Sequence, residues 1–158
     1  MAQWVLPLCP PDWKRSTLGD VSVSIQTGPF GSQLHAADYV EHGIPCIMPK
    51  DIRNGHIVED SIARISQETA DGLARHKVKS GDIIYSRRGD VEKCALVRPH
   101  QAGWICGTGC LKITLDSTVI NPVFISYYLN HPAIKSWVVG HAVGATMPNL
   151  DSETSQAV

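Results

Sequence analysis

The sequence contains few charged residues and almost no excess charge of either sign. Charged side chains make up 18% of the 158 residues, and the formal net charge is −1. This balance excludes a uniformly basic nucleic-acid binder, although a local basic face remains open. No internal repeat and no low-complexity segment is present, and the composition excludes a disordered tail, a coiled coil and a collagen-like rod.

Long apolar runs and paired cysteine motifs are also lacking. The longest uncharged run, residues 117–134, contains two prolines and cannot form a membrane span of about 20 residues. The first 13 residues lack the positive segment of a secretory signal. The cysteines are odd in number and scattered, which favours reduced thiols in a cytosol over a disulfide framework. We therefore expect a soluble cytoplasmic protein without a membrane partner.

Motifs that carry chemistry are missing as well. No Walker A loop and no GxGxxG turn occurs, and no paired-carboxylate or catalytic-triad signature can be read. Cys106 and Cys110 have a spacing that would suit half a zinc site, but no second Cys or His pair follows. We expect no catalytic residue, no cofactor and no metal.

The residues that are present indicate one folded domain. Hydrophobic residues make up 43% of the chain, enough for a core, and glycine and proline together contribute 23 positions. At about 150 residues per domain, the length predicts a single one. We place it at residues 12–150, between an N-terminal extension (1–11) and a C-terminal tail (151–158).

The hydrophobic pattern predicts strands in the middle of the chain and helices near its end. Ser66 is a helix cap before a helix over residues 67–77, and Asn121-Pro122 starts another over 123–129. A further helix begins at His131-Pro132 and ends before Gly140. Strands are predicted at 44–48, 62–65, 83–86, 94–97 and 111–115, while 17–25 fits a helical turn or a strand equally well. These elements predict an α+β fold with a curved mixed β-sheet and helices packed on one side.

The charge is distributed unevenly along the chain. Residues 75–98 contain seven basic and three acidic side chains, a local net charge of +4. A local phosphate-binding face would have this composition, and so would a solvated helix end followed by strands with polar outer faces. Three glycine-bearing segments, residues 28–32, 87–90 and 106–110, could bring backbone amides close to a ligand or could be ordinary hairpin turns.

Two features of these segments leave alternatives open. Arg87 and Arg88 would point to opposite faces of a regular strand, and both could reach outward only if the strand has ended. They could instead pair internally with Asp82 or Asp90. Phe30, in the first glycine-rich segment, could stack on a base or wedge into a groove, or it could fold back as a loop anchor.

Several segments, in order, resemble the target recognition domain of type I restriction-modification specificity subunits. The resemblance extends over about residues 12–150 and rests on their ordered set. The segments are Trp13 with LGDV (18–21), TGPFGSQLHAADY (27–39), GIPCIMPKDI (43–52), KSGDIIYSRRGDVEKCALV (79–97), GWICGTGCLKI (103–113) and GATMPNL (144–150).

The resemblance implies a non-catalytic DNA-reading module. In this family a specificity subunit carries two recognition domains, each reading one half of a split double-stranded DNA target. The expected partners are therefore DNA, the adenine methyltransferase and restriction subunits, and a second half-subunit. S-adenosylmethionine would be held by the methyltransferase partner. By this resemblance, the expected DNA-binding residues are Phe30, Gln33, Lys50, Arg53, Arg87, Arg88, Lys93 and Thr108.

The end of the chain departs from the family. Such subunits continue into a long spacer helix after the segment that corresponds to residues 144–150, whereas residues 151–158 show no heptad pattern. Assembly with methyltransferase subunits is thereby put in question. Two other functions stay open: a protein-interaction or dimerisation module that uses the helix pair over 123–139, and an enzyme that uses Cys106 or Cys110.

Overall fold

The structure is a computed structural model that describes residues 10–141. The tail (151–158), most of the N-terminal extension and the GATMPNL segment lie outside the described residues. Within them, the strands are β1 (Ser22–Thr27), β2 (Tyr39–Val40), β3 (Ile44–Ile47), β4 (Ile52–Arg53), β5 (His56–Ile57), β6 (Ala63–Ile65), β7 (Ile83–Ser86), β8 (Cys94–Leu96), β9 (Ile105–Cys106) and β10 (Cys110–Leu115). The α-helices are α1 (Gln67–Gly72), α2 (Pro122–Leu129) and α3 (Pro132–His141).

The predicted α+β class is confirmed, and the strands are divided among several sheets. The first sheet is antiparallel, in the order β1-β10-β7-β8. The second has the order β2-β6-β3-β9 and is mixed, because β3 and β9 run parallel. Strands β4 and β5 form a separate hairpin, in which Asn54 and Gly55 both have positive φ, the backbone that a two-residue Asn-Gly turn requires.

The first sheet is buried on both faces. On one face, Ile83, Tyr85 and Ile113 belong to a core cluster that includes Leu129 of α2 and Val138 of α3. On the other, Ile84, Ala95 and Cys110 belong to a cluster with Ile47 of the second sheet and Ile52 of the β4–β5 hairpin. All of β7 is buried, as expected for a strand covered on both sides. The predicted packing of helices on one side applies to α2 and α3.

The helix boundaries follow the predicted caps at their starts more closely than at their ends. The Ser66 side chain accepts a hydrogen bond from the Thr69 amide, and the Asn121 side chain accepts one from the Val123 amide. The predicted helix over 67–77 ends early, at Gly72, and a 3-10 turn (Ala74–His76) follows. The prediction that the last helix ends before Gly140 is wrong, since α3 reaches His141. One glycine costs a helix only about 1 kcal/mol relative to alanine.

Two ambiguous segments have definite structures. Residues 17–25 contain a turn, in which Thr17 and Asp20 exchange side chain–backbone hydrogen bonds, followed by β1. Residues 106–110 do not form a hairpin turn, because β9 pairs with β3 in the second sheet whereas β10 pairs with β1 and β7 in the first. The Gly-Thr-Gly segment therefore carries the chain from one sheet to the other.

Candidate nucleic-acid interface

The predicted site residues lie in four loops. We call these the first loop (28–34), the second loop (48–53, which includes the two residues of β4), the third loop (87–93) and the fourth loop (107–109). They follow or connect strands of the two sheets and the hairpin. Contacts between them determine whether they form one surface.

The first and fourth loops are in direct contact. The Thr108 hydroxyl donates to the Pro29 carbonyl oxygen at 2.9 Å, and the Gly28 amide donates to the Cys110 carbonyl oxygen at 2.9 Å. A Cβ on Gly28 would overlap the backbone carbonyl of Gly107. Only glycine allows this approach, so the residue type at position 28 is explained by loop packing.

The fourth loop also contacts the second and third loops. The Gly107 amide donates to the Ile47 carbonyl, and a Cβ on Gly109 would lie 3.2 Å from Pro49 Cγ. The Arg87 amide donates to the Gly109 carbonyl at 2.7 Å. The structure therefore brings the four loops together around residues 107–109, which is the arrangement that a shared binding surface requires.

Two hydrogen bonds join Phe30 and Gln33 in a turn of the first loop. The Phe30 amide donates to Gln33 Oε1 at 3.1 Å, and the Gln33 amide donates to the Phe30 carbonyl at 2.8 Å. Phe30 is 59% exposed. The alternative that it folds back as a loop anchor is therefore wrong, and its ring is available at the surface.

The second loop is organised by a buried carboxylate. Asp51 is 1% exposed and accepts a hydrogen bond from the Met48 amide at 2.9 Å. Burial raises the pKa of Asp51, and the Met48 hydrogen bond and the nearby Lys50 charge oppose that increase. Lys50 Nζ donates to the Ser61 carbonyl at 2.8 Å and lies 3.8 Å from Asp51 Oδ1, whereas Arg53 is exposed and its Nε donates to the Lys50 carbonyl at 3.4 Å.

The two arginines of the third loop differ in environment. β7 ends at Ser86, before both of them. Arg87 is half-buried and its Nε is enclosed without a hydrogen-bond partner among the described residues, whereas Arg88 is exposed. No ion pair of either arginine occurs within residues 10–141, because Asp90 pairs with Lys93 at 2.6 Å and Asp82 accepts the Lys79 amide. The alternative of an internal arginine–aspartate pair is therefore wrong.

Internal ion pairs engage two of the seven basic side chains of residues 75–98. Lys77 pairs with Asp71 at 2.7 Å, and Lys93 is engaged by Asp90. Among the eight predicted DNA-binding residues, Arg53 and Arg88 are the exposed cations without an ion pair in the part of the chain that the structure describes. Fewer cations are therefore free to contact DNA than the number of basic residues suggests.

Behind the loops lies a buried lysine that sequence reasoning missed. Alternation along β10 predicts an outward-facing Lys112, yet this residue is 8% exposed. Its Nζ donates to the carbonyls of Arg75 and Lys77 at 2.8 and 2.9 Å, which fixes the 3-10 turn against the sheet. Burial lowers the pKa of Lys112, and the Asp82 carboxylate opposes that decrease. No signal in the strand pattern distinguishes it from a solvated lysine.

The chain is similar to a type I restriction enzyme subunit and to several solved structures of the same kind. The chain is 24% identical over 132 residues to the type I restriction enzyme EcoBI specificity subunit of Escherichia coli, a match that covers 84% of this chain and 27% of that subunit. Its fold resembles the S subunit of a type I restriction-modification system from M. genitalium, with a TM-score of 0.62, 15% identity and coverage of 93% of this chain and 33% of that one. The predicted resemblance to type I specificity subunits is confirmed.

Two more solved structures share this specificity-subunit fold. The HsdS subunit from Thermoanaerobacter tengcongensis has a TM-score of 0.62 and 16% identity, covering 95% of this chain and 33% of its own. A chain from a study of assembly and conformational transition in a type I restriction-modification system has a TM-score of 0.65 and 20% identity, covering 94% of this chain and 37% of its own. No family model matches. The chain spans roughly a quarter to a third of the length of these relatives.

The specificity-subunit fold is consistent with the prediction of a non-catalytic component. Burial raises the pKa of Cys106 to about 12 and that of Cys110 well above its usual value, so neither thiol is a ready nucleophile. Among residues 10–141, no group of three or more His, Cys, Asp and Glu side chains could hold a metal ion. The helices in this range are also too short or too polar to cross a membrane.

Proposed function

We propose that the chain is a non-catalytic DNA-recognition module that uses its four loops to read one half of a bipartite double-stranded target. The observation that carries this proposal is the contact of the first, second and third loops with the fourth. Exposed Arg53 and Arg88 and the exposed ring of Phe30 project from that assembly. Its relatives are specificity subunits, whose name denotes target selection.

The chemistry of these side chains suits both parts of DNA recognition. A guanidinium group can contact phosphates or form two hydrogen bonds with guanine in the major groove. An exposed phenylalanine can stack on a base or wedge between base steps. Gln33 retains its side-chain amide donors for adenine, while its oxygen is engaged by the Phe30 amide.

The remaining predicted residues have roles constrained by their existing contacts. Lys50 and Lys93 already have oxygen partners in the protein, and Arg87 is half-buried, so we assign them to phosphate contacts at the edge of the surface. Thr108 uses its hydroxyl proton within the protein. We therefore assign Arg53, Arg88, Phe30 and Gln33 to contacts with the DNA bases.

Function in a restriction-modification system would require partners. We propose adenine methyltransferase subunits, which would hold S-adenosylmethionine, a restriction subunit and a second half-subunit, all acting with the DNA in the cytoplasm. The relatives are about three times as long as this chain, since the matches cover 27% of one and 33% of another.

A protein-interaction or dimerisation module is the second candidate, and the surface of α2 favours it. Val123, Phe124 and Tyr127 are 46%, 41% and 78% exposed on this helix. The Phe124 ring meets that of Trp13, itself 54% exposed, edge to face at 5.6 Å. Light scattering after size exclusion distinguishes this candidate, since it predicts a dimer in the absence of DNA.

Duplex binding across a salt series tests the main proposal. Fluorescence anisotropy with a pool of random duplexes is measured at several salt concentrations, and bound duplexes are selected and sequenced. If about four cations meet phosphates, the slope of log K against log salt is about −3.6. A folded protein that binds no duplex at low salt would overturn the proposal, whereas selection of a common half-site would support target reading.

A further inference from the structure

Two consecutive residues of the fourth loop connect the loop that carries Phe30 to the loop that carries Arg88. Thr108 lies in the fourth loop and donates its hydroxyl to the Pro29 carbonyl, 79 residues away in sequence, at 2.9 Å. Pro29 is buried and directly precedes Phe30. The next residue after Thr108, Gly109, accepts the Arg87 amide at 2.7 Å. Consecutive residues of the fourth loop therefore hold the first and third loops.

We propose that Thr108 is a positioning residue for base discrimination. Its hydroxyl sets the place of Phe30 and Gln33 relative to Arg88, and thereby which bases these side chains reach together. The proposal rests on the DNA-reading function proposed above. It differs from the prediction that Thr108 contacts DNA, because the hydroxyl proton is already donated to the protein.

The hydrogen bonds of the first loop show why the effect should be local. The Gly28 amide donates to the Cys110 carbonyl independently of Thr108, so the base of the loop stays attached when the hydroxyl is removed. The buried Pro29 carbonyl would then lack its partner, which favours a shift of the adjoining residues toward water. The turn that joins Phe30 and Gln33 moves with Pro29, while the fold persists.

Three variants of the full chain test this proposal: Thr108→Val, which removes the hydroxyl at similar volume, Thr108→Ser, which retains it, and the control Thr118→Val. Thr118 also loses a hydroxyl hydrogen bond, but a local one to Asp116 beyond β10. In Thr108→Val we expect hydrogen exchange of the Phe30 and Gln33 amides to accelerate about fivefold, the effect of one ordinary hydrogen bond. Thr108→Ser and the control should exchange like the parent chain.

The DNA readout is the ratio of affinities for the selected duplex and a scrambled duplex. We expect this ratio to fall by about fivefold in Thr108→Val and to recover in Thr108→Ser, with an unchanged salt slope because no cation is removed. A purely structural role would weaken both duplexes together and leave the ratio unchanged.

Each result decides a distinct point. Unchanged exchange in Thr108→Val would overturn the positioning role, and faster exchange with an unchanged affinity ratio would overturn its part in discrimination. If the parent chain binds no duplex, the proposed function fails, but the exchange data still decide whether Thr108 positions the first loop. If Thr108→Val does not fold, Thr108→Ala removes the same hydroxyl without the branched side chain and decides in its place.

Discussion

Arg88 offers the sharpest test of the loop surface. It is exposed, lies in the third loop and forms no ion pair within the described residues. Its truncation to alanine should therefore change the free energy of unfolding by no more than about 0.5 kcal/mol. Any loss of DNA binding then reports on the contact itself.

The magnitude depends on what Arg88 touches. If it contacts a phosphate, Arg88→Ala weakens binding to all duplexes and reduces the magnitude of the salt slope by about 0.9. If it reads guanine, the affinity for the selected duplex falls by about 1–3 kcal/mol and discrimination is relaxed at one base position. Anisotropy with the selected duplex and its single-base variants, each in a salt series, separates the two.

Arg98 provides a matched control. It belongs to the same basic segment and is also exposed, but it follows β8 and so lies at the opposite end of the β7–β8 hairpin from Arg88. Arg98→Ala should leave both the slope and the base preference unchanged. Equal losses in the two variants would refute the reasoning, because they would show a diffuse charge effect in place of a localised surface.

Three further predictions concern the structure behind the loops. Gly28→Ala should lower the free energy of unfolding by about 1–3 kcal/mol in urea, because its Cβ would meet a backbone carbonyl, whereas Gly31→Ala, with open space around its Cβ, should not. Burial lowers the pKa of His76 below 6.5, so the unfolded state binds a proton at this residue first as the pH falls. The free energy of unfolding, measured at pH 5–8, should therefore decrease below about pH 6.5, by at most about 1.4 kcal/mol per pH unit. His76→Asn should flatten this dependence, and an equal slope in the two proteins would contradict the prediction. Cys106 and Cys110 should resist iodoacetamide at pH 8 until the chain is unfolded, and rapid alkylation of the native protein, detected by mass spectrometry, would contradict their burial.

The positions of β3, β6, β7, β8 and β10 and the starts of the helices followed from local physics. Ser66 and Asn121 supply the oxygen that a helix start needs, and Asn54-Gly55 supplies the positive φ of a tight hairpin. The ends of α1 and α3 were less predictable, because a single glycine costs a helix only about 1 kcal/mol: α1 ends at Gly72, whereas α3 continues past Gly140.

Sequence patterns did not predict which side chains of the candidate site are exposed. Arg87 and Arg88 are identical in type and adjacent, yet one is half-buried and the other is exposed. Lys112 has the same alternating context as a solvated lysine, yet a second layer of structure covers it. In each case the environment is supplied by segments distant along the chain.

The sequence by itself determined the α+β class, the resemblance to a target recognition domain and the loops in which binding residues should lie. Only the tertiary structure decided that those loops contact one another through residues 107–109, because the Gly-Thr-Gly segment joins two different sheets and not two strands of a hairpin. Strand and turn signals are local properties of the backbone and side chains, whereas the pairing of β9 with β3, far apart in sequence, is selected by the packing of the whole core.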